Sequence, residues 1–447
     1  MENYNLYTTN KSITGSINEL YNRFAYGVRI YKNNSSPELE RIGNLDYHRT
    51  LPIQNALRGC IVADHAIKYY LNANDWNYKE DGTTPSVLDG TDGDIGVEVP
   101  NFYLWSEASG DVDNPYTDIW ISTLKLSPYA YEQPHCVIGA DKCTLDRTDA
   151  ENIKARTVVN DTANFRGGNN DDSYDQYLES DPARSQLQKP ATNIQRSIIR
   201  TYARNNGAEL MCYDIYKAVF YWLWVIEYAN LNSQATYNSN LTAEGYKQGG
   251  MGDGVTTLNS AYWNNYNAYY PITPCGYNYE IGNGTGLKNL TLVGYNSDAG
   301  ITVSVPRWRG FNNPFGDIWT NLEGTYIVQL ATGDSYKQVY ITDNPEYFDE
   351  TLVGKQFRGL ELRADRYIRN FDYRNTAEII PIEHGTNHIT YMCDYHYIGL
   401  DNTEARTLLV GGRASSGGTA GLAYWYSDRS LADVYPRVGF RLVYYLD

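Results

Sequence analysis

Residues 407–442 read Thr407-Leu-Leu-Val-Gly-Gly-Arg-Ala-Ser-Ser-Gly-Gly-Thr-Ala-Gly-Leu-Ala-Tyr-Trp-Tyr-Ser-Asp-Arg-Ser-Leu-Ala-Asp-Val-Tyr-Pro-Arg-Val-Gly-Phe-Arg-Leu442. An apolar run that ends in Gly411 and Gly412 opens this stretch, and the strand-like run 438–442 closes it. The tract of Ser, Thr, Tyr, Asp and Arg between these ends has no hydrophobic period of its own. Because core elements carry such a period, the tract is predicted to lie at the surface, held between two strands.

The composition of this tract is typical of a contact surface. In antibody-like paratopes, Tyr and Trp supply area at low entropy cost, Ser and Gly supply adaptability, and Arg anchors the contact. We therefore predict ligand contacts along the tract, with Tyr424, Tyr426 and Tyr435 as anchors. For each polar position taken singly, an ordinary solvated loop is the alternative. The predicted contact positions are Arg413, Ser415, Ser416, Thr419, Tyr424, Tyr426, Asp428, Arg429, Asp433, Tyr435 and Arg437.

The frame of the tract resembles the variable proteins of diversity-generating retroelements, whose C-terminal repeats end a C-type-lectin-type domain. The pieces that carry the resemblance are residues 408–412, 420–424 and 438–442. The resemblance implies mutation at template adenines, which does not produce Lys, Glu, Gln, Met or Trp codons, and residues 411–447 contain no Lys, Glu, Gln or Met. It also implies a variable region at 411–442 on a fixed scaffold of Gly411, Gly412, Trp425, Gly439, Phe440 and Arg441.

Two further segments resemble bacteriophage tail proteins from Bacteroides-type hosts. One is Leu88-Asp-Gly-Thr-Asp-Gly followed by Val-Glu-Val-Pro, and the other is Gly310-Phe-Asn-Asn-Pro-Phe-Gly-Asp-Ile-Trp319. The Asn-Pro and Phe-Gly steps indicate turns, which leave the large rings around them to pack inward. Residues 392–397 stand where the family has the strand that leads into its variable loop. The rings predicted to be buried are Trp308, Phe311, Phe315 and Trp319.

The expected fold class is α+β, a C-type-lectin-type domain with an N-terminal β-rich attachment region. Residues 1–90 are expected to form that attachment or oligomerisation region. Residues 91–447 are expected to form the lectin-type domain, with a polar surface excursion at 144–190. Because the first and last strands pair in lectin-type folds, residues 97–104 are expected beside residues 438–445.

Periodicity predicts several local elements. Residues 51–62 and 67–71 indicate a strand pair, residues 88–94 a turn, and residues 95–105 one alternating strand. Residues 193–205 indicate a helix. Residues 213–228 indicate the strongest helix, with Tyr216, Val219, Phe220, Leu223 and Ile226 on one stripe and Trp222 and Trp224 suggesting burial on more than one side.

Charge and cysteine usage limit the class of function. The formal net charge of −16 argues against nucleic-acid binding, which needs clustered Lys and Arg. The most apolar run, residues 219–231, contains Glu227 and Asn230 and is too short to cross a bilayer, so no membrane insertion is expected. The N-terminal residues lack the pattern of a secretion signal. The six scattered cysteines are therefore expected to be reduced and mostly buried.

Catalytic and metal-binding alternatives are weak in this sequence. Formylglycine-generating enzymes share the expected fold, but their paired-cysteine motif is absent here, because Cys275 and Cys393 are far apart. His384 and His388 have helical ligand spacing, yet Gly385 between them indicates a loop or strand. Residues 89–94 could offer oxygens to Ca²⁺, although a plain turn is favoured. A phosphate loop at 249–254 is disfavoured, because this segment does not follow a strand and precede a helix within a βαβ unit. We predict no enzymatic activity, no cofactor and no metal.

The combined expectation is a receptor-binding protein of a bacteriophage tail, made in the bacterial cytoplasm and carried on the virion as a homotrimer. Its partners would be a bacterial surface receptor, protein or glycan, and other virion tail proteins. Many copies on one particle would bind by avidity. Two alternatives stay open: a structural tail or capsid component of the same fold without a receptor, and a diversified bacterial surface adhesin.

Overall fold

The structure, a computed structural model, describes residues 13–182, 184–237, 272–293, 301–385, 390–399 and 401–446. This part of the chain mixes helix and sheet and is mostly β. Its α-helical segments are α1 (Ile13–Phe24), α2 (Leu45–Thr50), α3 (Arg196–Arg204), α4 (Tyr213–Ile215) and α5 (Leu223–Tyr228). The 3₁₀ turns are Gln54–Ala56, Ala163–Phe165, Asp175–Tyr177, Ser233–Thr236, Tyr279–Ile281, Pro345–Tyr347 and Ala414–Thr419.

The strands are short and run through the whole described chain. They are β1 (Ala25–Tyr31), β2 (Glu40–Gly43), β3 (Arg58–Ala63), β4 (Ala66–Tyr70), β5 (Asp94–Val99), β6 (Phe102–Ala108), β7 (Tyr116–Ser122), β8 (Tyr131–Gln133), β9 (Cys136–Gly139), β10 (Thr144–Asp146), β11 (Lys154–Arg156), β12 (Glu209–Leu210), β13 (Gly286–Leu292), β14 (Ile301–Trp308), β15 (Phe311–Asn312), β16 (Trp319–Val328), β17 (Tyr336–Ile341), β18 (Gln356–Leu362), β19 (Arg366–Asp372), β20 (Ile380–His384), β21 (Tyr395–Tyr397), β22 (Arg406–Gly411), β23 (Gly421–Tyr426), β24 (Val438–Gly439) and β25 (Leu442–Tyr445).

Four sheets and one hairpin organise these strands. The sheets have the orders β2-β1-β7-β6-β8, β12-β25-β9-β5-β3-β4, β13-β14-β15 and β18-β17-β16-β22-β23-β21-β19-β20, and β10 pairs with β11. In the largest sheet β24 adds to β16, and β20 returns beside β18, so that the sheet nearly closes like a barrel. This sheet carries both strands that flank the 413–420 segment.

A long buried helix lies among the sheets. It starts as α4, continues through a π-helical segment, Tyr216–Trp222, and ends as α5, where Ala229 takes a left-handed conformation. The predicted stripe is buried, but so is every other residue from 213 to 226. Lys217 can be buried because its ammonium lies 2.9 Å from Asp214 and 3.2 Å from Glu378, which neutralise its charge. The sequence therefore predicted the helix correctly and understated its burial.

Other local predictions are confirmed. The helix predicted at 193–205 is α3, and the predicted strand pair is β3 with β4, although residues 54–56 before it form a 3₁₀ turn. Trp308, Phe311, Phe315 and Trp319 are all buried, as are the six cysteines, which are free thiols. Within the described residues, no helix is both long and apolar enough to cross a membrane.

The single strand predicted at 95–105 is wrong. The chain instead forms β5 and β6, which belong to different sheets. Pro100 lies between them and has no N–H group to donate to a sheet ladder, so one strand ends there and the next starts in a new direction. The predicted turn before β5 is present as bends at residues 89–92.

The expected direct pairing of residues 97–104 with 438–445 is also wrong. β9 lies between the two segments, with Val97 opposite Ile138 and Ile138 opposite Val443. The beginning and the end of the expected domain therefore share a sheet, separated by one strand. Residues 102–104 lie in β6 and belong to the other sheet.

Strands of the expected attachment region pair with strands of the expected lectin-type domain. β3 pairs with β5 over residues 58–62, and β1 pairs with β7. The expected surface excursion at 144–190 is packed in part, because its polar groups find partners inside the protein. The Thr144 hydroxyl donates to the Phe165 carbonyl at 2.8 Å, and the Gln186 amide donates to Asn169 at 3.0 Å.

Candidate functional site

Two glycines direct the chain out of the largest sheet at the start of the tract. Gly411 and Gly412 have φ of 90° and 77°, in the left-handed region that favours glycine. A Cβ at Gly412 would also lie only 2.9 Å from the Cβ of Ala420. After this turn the chain makes the 3₁₀ turn Ala414–Thr419 and returns as β23, antiparallel to β22. The predicted scaffold role of both glycines has this physical basis.

A surface cavity of about 380 Å³ lies beside this turn. Seven of the predicted contact residues line it. Three more lining residues come from neighbouring strands: Trp319 of β16, Tyr397 of β21 and Leu409 of β22. Asp428, Asp433 and Arg437 do not line it, and the side chain of Ser415 is outside the described set. The seven are Arg413, Ser416, Thr419, Tyr424, Tyr426, Arg429 and Tyr435.

Strand alternation separates cavity side chains from core side chains. On β23, Tyr424 and Tyr426 face the cavity, while Trp425 between them points to the opposite side and is 1% exposed. The Trp319 ring lies 4.6 Å from the Tyr424 ring and 4.9 Å from the Tyr426 ring, centroid to centroid. The Tyr397 ring stacks on Tyr426 at 4.9 Å with an interplanar angle of 11°. The wall is thus a continuous aromatic surface.

The tract was predicted to lie at the surface, and seven of its side chains line a concave site there. Tyr424 is only 8% exposed, because Trp319 and Tyr395 pack on its ring. Tyr424, predicted as an anchor, thus forms part of the cavity wall. Asp433 is exposed. The remaining contact positions with described side chains are half-buried: Arg413, Ser416, Thr419, Tyr426, Asp428, Arg429, Tyr435 and Arg437.

Arginines lie against the aromatic wall. The Arg429 guanidinium is 4.7 Å from the Tyr435 ring centroid, within the range of a cation–π contact. Its nearest approach to Asp433 is 3.9 Å, because that carboxylate accepts hydrogen bonds from the Ser430 backbone and hydroxyl at 3.1 Å. The pKa of Arg437 is lowered, first by burial and then by the charge of Arg413. Three arginines, Arg413, Arg429 and Arg437, therefore lie near one another at this end of an acidic protein. Asp428 and Asp433 lie beside Arg429.

The main chain of the segment is held by residues outside it. The Tyr216 hydroxyl donates to the Leu422 carbonyl at 2.6 Å, and the Leu422 N–H donates to the Ser233 hydroxyl at 2.9 Å. The Ala423 N–H donates to Asp394 at 2.7 Å. These bonds involve backbone atoms of β23, so they do not depend on which side chains face the cavity.

The other predicted scaffold residues are buried under the tract. A Cβ at Gly439 would lie 2.7 Å from the Ile318 side chain, and Phe440 is 1% exposed. The buried Arg441 guanidinium donates to the main-chain carbonyls of Gly139 and Ala140 at 2.9 and 2.7 Å. Its pKa is lowered to about 10 by burial, so it remains charged at neutral pH.

Glu361 lies under β23 and joins several groups. It accepts hydrogen bonds from the Trp425 indole and from the Ser427 hydroxyl at 2.7 Å. Nε2 of His396 lies 3.9 Å from it, and the other His396 nitrogen is 2.9 Å from His384. Burial raises the pKa of Glu361 to about 7.

Glu361→Gln is expected to flatten the pH dependence of stability. Because the pKa of Glu361 is raised from 4.5 to about 7 on folding, its stabilising contribution is complete below pH 4.5 and is lost as the pH rises through 7. The amide can still bond Trp425 and Ser427 but does not titrate. The wild-type free energy of unfolding should fall relative to the variant by up to roughly 3 kcal/mol over this interval.

Urea unfolding at a series of pH values measures this difference. Glu404→Gln is the matched control, since the Glu404 side chain is 73% exposed. If wild type and Glu361→Gln lose stability in parallel between pH 4.5 and 8, Glu361 does not titrate in this range.

The described residues contain no group of three or more His, Cys, Asp and Glu side chains placed to hold a metal ion. The Asp89 carboxylate accepts from the Thr91 N–H at 2.9 Å, and Asp94 pairs with Arg156 at 2.9 Å, so these two acids have partners within the protein. His388 and residues 249–254, which were weighed as a metal ligand and a phosphate loop, lie outside the described residues.

Sequence reasoning missed Trp319 and Tyr397 as part of the site. Trp319 was predicted to be buried, as it is, but the wall that its ring forms depends on the pairing of β16 with β22. Tyr397 comes from β21, which pairs with β23 in parallel. The sequence pattern within one strand does not indicate which other strand it pairs with. No protein-family model matches the chain, and no curated protein is significantly similar to it in sequence.

Proposed function

We propose that this chain is a receptor-binding protein of a bacteriophage tail, which uses the surface at 411–442 to recognise its bacterial host. The observation that carries the proposal is the cavity, because seven contact residues chosen from sequence line one concavity. In many binding interfaces, aromatic side chains and arginines in a concave site contribute most of the binding energy.

The division between frame and lining supports the proposal. The backbone of β23 is bonded by Tyr216, Ser233 and Asp394, which lie far from the tract in sequence. The side chains that face the cavity take no part in these bonds. A diversified binding protein needs this separation, since its contact residues change while its fold is retained.

We further propose that the scaffold is a C-type-lectin-type domain, with the N-terminal region joining a homotrimer to other tail proteins. The resemblance of the 310–319 and 408–442 segments to tail proteins of this type supports this scaffold. The shared sheet of β5, β9 and β25, which brings the start and end of the expected domain together, also supports it.

Exchanging the tract tests the receptor assignment. Residues 413–437 would be replaced in the full-length protein by the corresponding tract of another variant, and binding of the labelled protein to a panel of Bacteroides-type strains would be measured by flow cytometry. We expect the set of bound strains to change while the melting temperature stays close to that of wild type.

A matched control replaces the exposed loop residues 110–113 with Gly and Ser and should leave the set of bound strains unchanged. Unchanged strain binding after the tract exchange would overturn the receptor assignment. Binding to no strain by any version would favour a structural tail or capsid component. Expression on a bacterial surface, instead of on a particle, would favour the adhesin. A neighbouring reverse-transcriptase gene and an imperfect second copy of the C-terminal repeat would support diversification.

A further inference from the structure

The lining of the cavity indicates the chemistry of its ligand. It contains five aromatic side chains, two arginines, one serine, one threonine and one leucine. None of the described residues that line it carries a carboxylate, although the chain as a whole has a net charge of −16. A basic lining in an acidic protein selects for an anionic ligand, because the arginines attract it and the surrounding surface repels anions that do not fit.

The positive charges of the site lie close to one another. Arg413 and Arg429 line the cavity, and the pKa of the neighbouring Arg437 is lowered first by burial and then by the charge of Arg413. The Asp433 carboxylate lies 3.9 Å from Arg429 and does not line the cavity. Holding like charges together in a partly buried place costs free energy. An anion among them would offset that cost and would accept charge-assisted hydrogen bonds from the guanidinium groups.

The aromatic wall favours a flat, partly apolar group beside the anion. Tyr397 and Tyr426 stack in parallel, and Trp319 contacts the Tyr426 ring at 4.9 Å. Such rings offer both an apolar surface and a polar tip, which suits the C–H face and the hydroxyls of a sugar ring. The hydroxyls of Ser416 and Thr419 add hydrogen-bonding groups on the same lining. A cavity of about 380 Å³ lies near the lower end of the range for small-molecule sites, about 300–1,000 Å³.

The strand pairing disfavours an extended peptide. Peptides in strand conformation bind by adding to a free sheet edge. β23 is paired on one side with β22 and on the other with β21. β16 is likewise paired with β17 and β22. The strands that form the cavity therefore present no such edge along these pairings, and a compact end group fits better.

We propose that the cavity binds the acidic end group of a bacterial surface saccharide, a sugar unit that carries a carboxylate or a phosphate. The anion meets Arg413 and Arg429. The sugar ring lies against the half-buried tyrosines of the lining, Tyr397, Tyr426 and Tyr435. This inference rests on the proposed function, since it names the receptor chemistry that the tract recognises.

Calorimetric titration of the full-length protein with defined sugars tests the inference. The probes are methyl β-glucuronide and N-acetylneuraminic acid for the carboxylate, glucose 6-phosphate for the phosphate, methyl β-glucoside as the neutral control and a tri-aspartate peptide as the acidic peptide. We expect binding of at least one acidic sugar, with little binding of the neutral sugar or the peptide. The probe that binds best identifies the anion.

Variants connect that binding to the arginines. The double variant Arg413→Gln and Arg429→Gln should weaken acidic-sugar binding by at least about tenfold, because it removes two charge-assisted contacts. Arg49→Gln removes one positive charge from a side chain that is 77% exposed and outside the cavity, and it should have no effect. Raising the ionic strength of the wild-type titration from about 0.05 to 0.5 M should also weaken binding, a readout that needs no variant.

The inference is overturned if the neutral sugar or the peptide binds as tightly as the acidic sugars, if no acidic sugar binds, or if the double variant binds them unchanged. The two proposals fail separately. If the set of bound strains changes with the tract but no acidic sugar binds, the receptor assignment is retained and the saccharide proposal is rejected. If acidic sugars bind but the set of bound strains does not change with the tract, the ligand site is retained and the receptor role is rejected.

Discussion

Trp425→Ala is expected to lower the free energy of unfolding by about 3–5 kcal/mol, as large-to-small changes of a buried aromatic do. The Trp425 side chain is 1% exposed and meets the Tyr213 ring edge-on at 6.0 Å. Its loss leaves a cavity between β23 and the central helix. It also removes the indole donor of Glu361, a carboxylate that is itself buried. Both effects act in the same direction.

Chemical denaturation followed by circular dichroism measures this loss. Trp425→Phe retains an aromatic ring but not the N–H donor, so the decrease in the free energy of unfolding should be intermediate. Tyr426→Ala is the comparison on the same strand, since Tyr426 faces the cavity and is half-buried; it should destabilise less than Trp425→Ala. A change below about 1 kcal/mol for Trp425→Ala would show that this side chain does not fix the frame.

Arg441→Met is the second large expected effect, a loss of about 3 kcal/mol or more. The Arg441 side chain is 1% exposed, and its guanidinium donates to the carbonyls of Gly139, Ala140, Asn312 and Asn313. Methionine fills similar volume and avoids the cost of burying a charge. The acceptors, however, are main-chain oxygens that no side-chain change removes. The Ala140 and Asn313 carbonyls keep another donor, the Asn312 N–H at 2.9 Å and the Lys142 ammonium at 3.3 Å, but all four carbonyls lose the guanidinium. The lost charge-assisted hydrogen bonds are therefore expected to outweigh the saved desolvation.

Arg441→Lys separates charge from geometry, because an ammonium keeps the charge but does not span several carbonyls as a planar guanidinium does. We expect Lys to recover only part of the lost stability. Arg49→Met, at a side chain that is 77% exposed, is the control and should change the free energy of unfolding by less than about 0.5 kcal/mol. A variant Arg441→Met as stable as wild type would show that burying the charge costs as much free energy as its hydrogen bonds return.

Sequence patterns predicted the elements whose shape is decided locally. The helix α3, the long helix at 213–228 and the burial of Trp308 and Phe311 follow from apolar period and turn residues within a short window. The break between β5 and β6 was also readable, because Pro100 stands in the middle of the apolar run. The alternation of apolar and polar residues continues on both sides of the proline, so periodicity alone predicts one strand.

Pairings between distant segments were not predictable in the same way. β9 lies between β5 and β25 although the three are separated by long stretches of chain, and nothing in one strand specifies which neighbour it takes. The same limit explains the site. Its tract residues were found together because they are contiguous, while Trp319 and Tyr397 reach it through sheet pairing. His384, weighed as a partner of His388, instead contacts His396 on β21.

The backbone bonds of β23 have a consequence for how such a chain can vary. Tyr216, Ser233 and Asp394 hold the strand through its amides and carbonyls, which every amino acid except proline provides in full. Substitution of a cavity-facing side chain on β23 by any residue other than proline therefore keeps all three bonds available. The course of this strand is specified by residues outside the tract together with Gly411, Gly412 and the buried Trp425 within it.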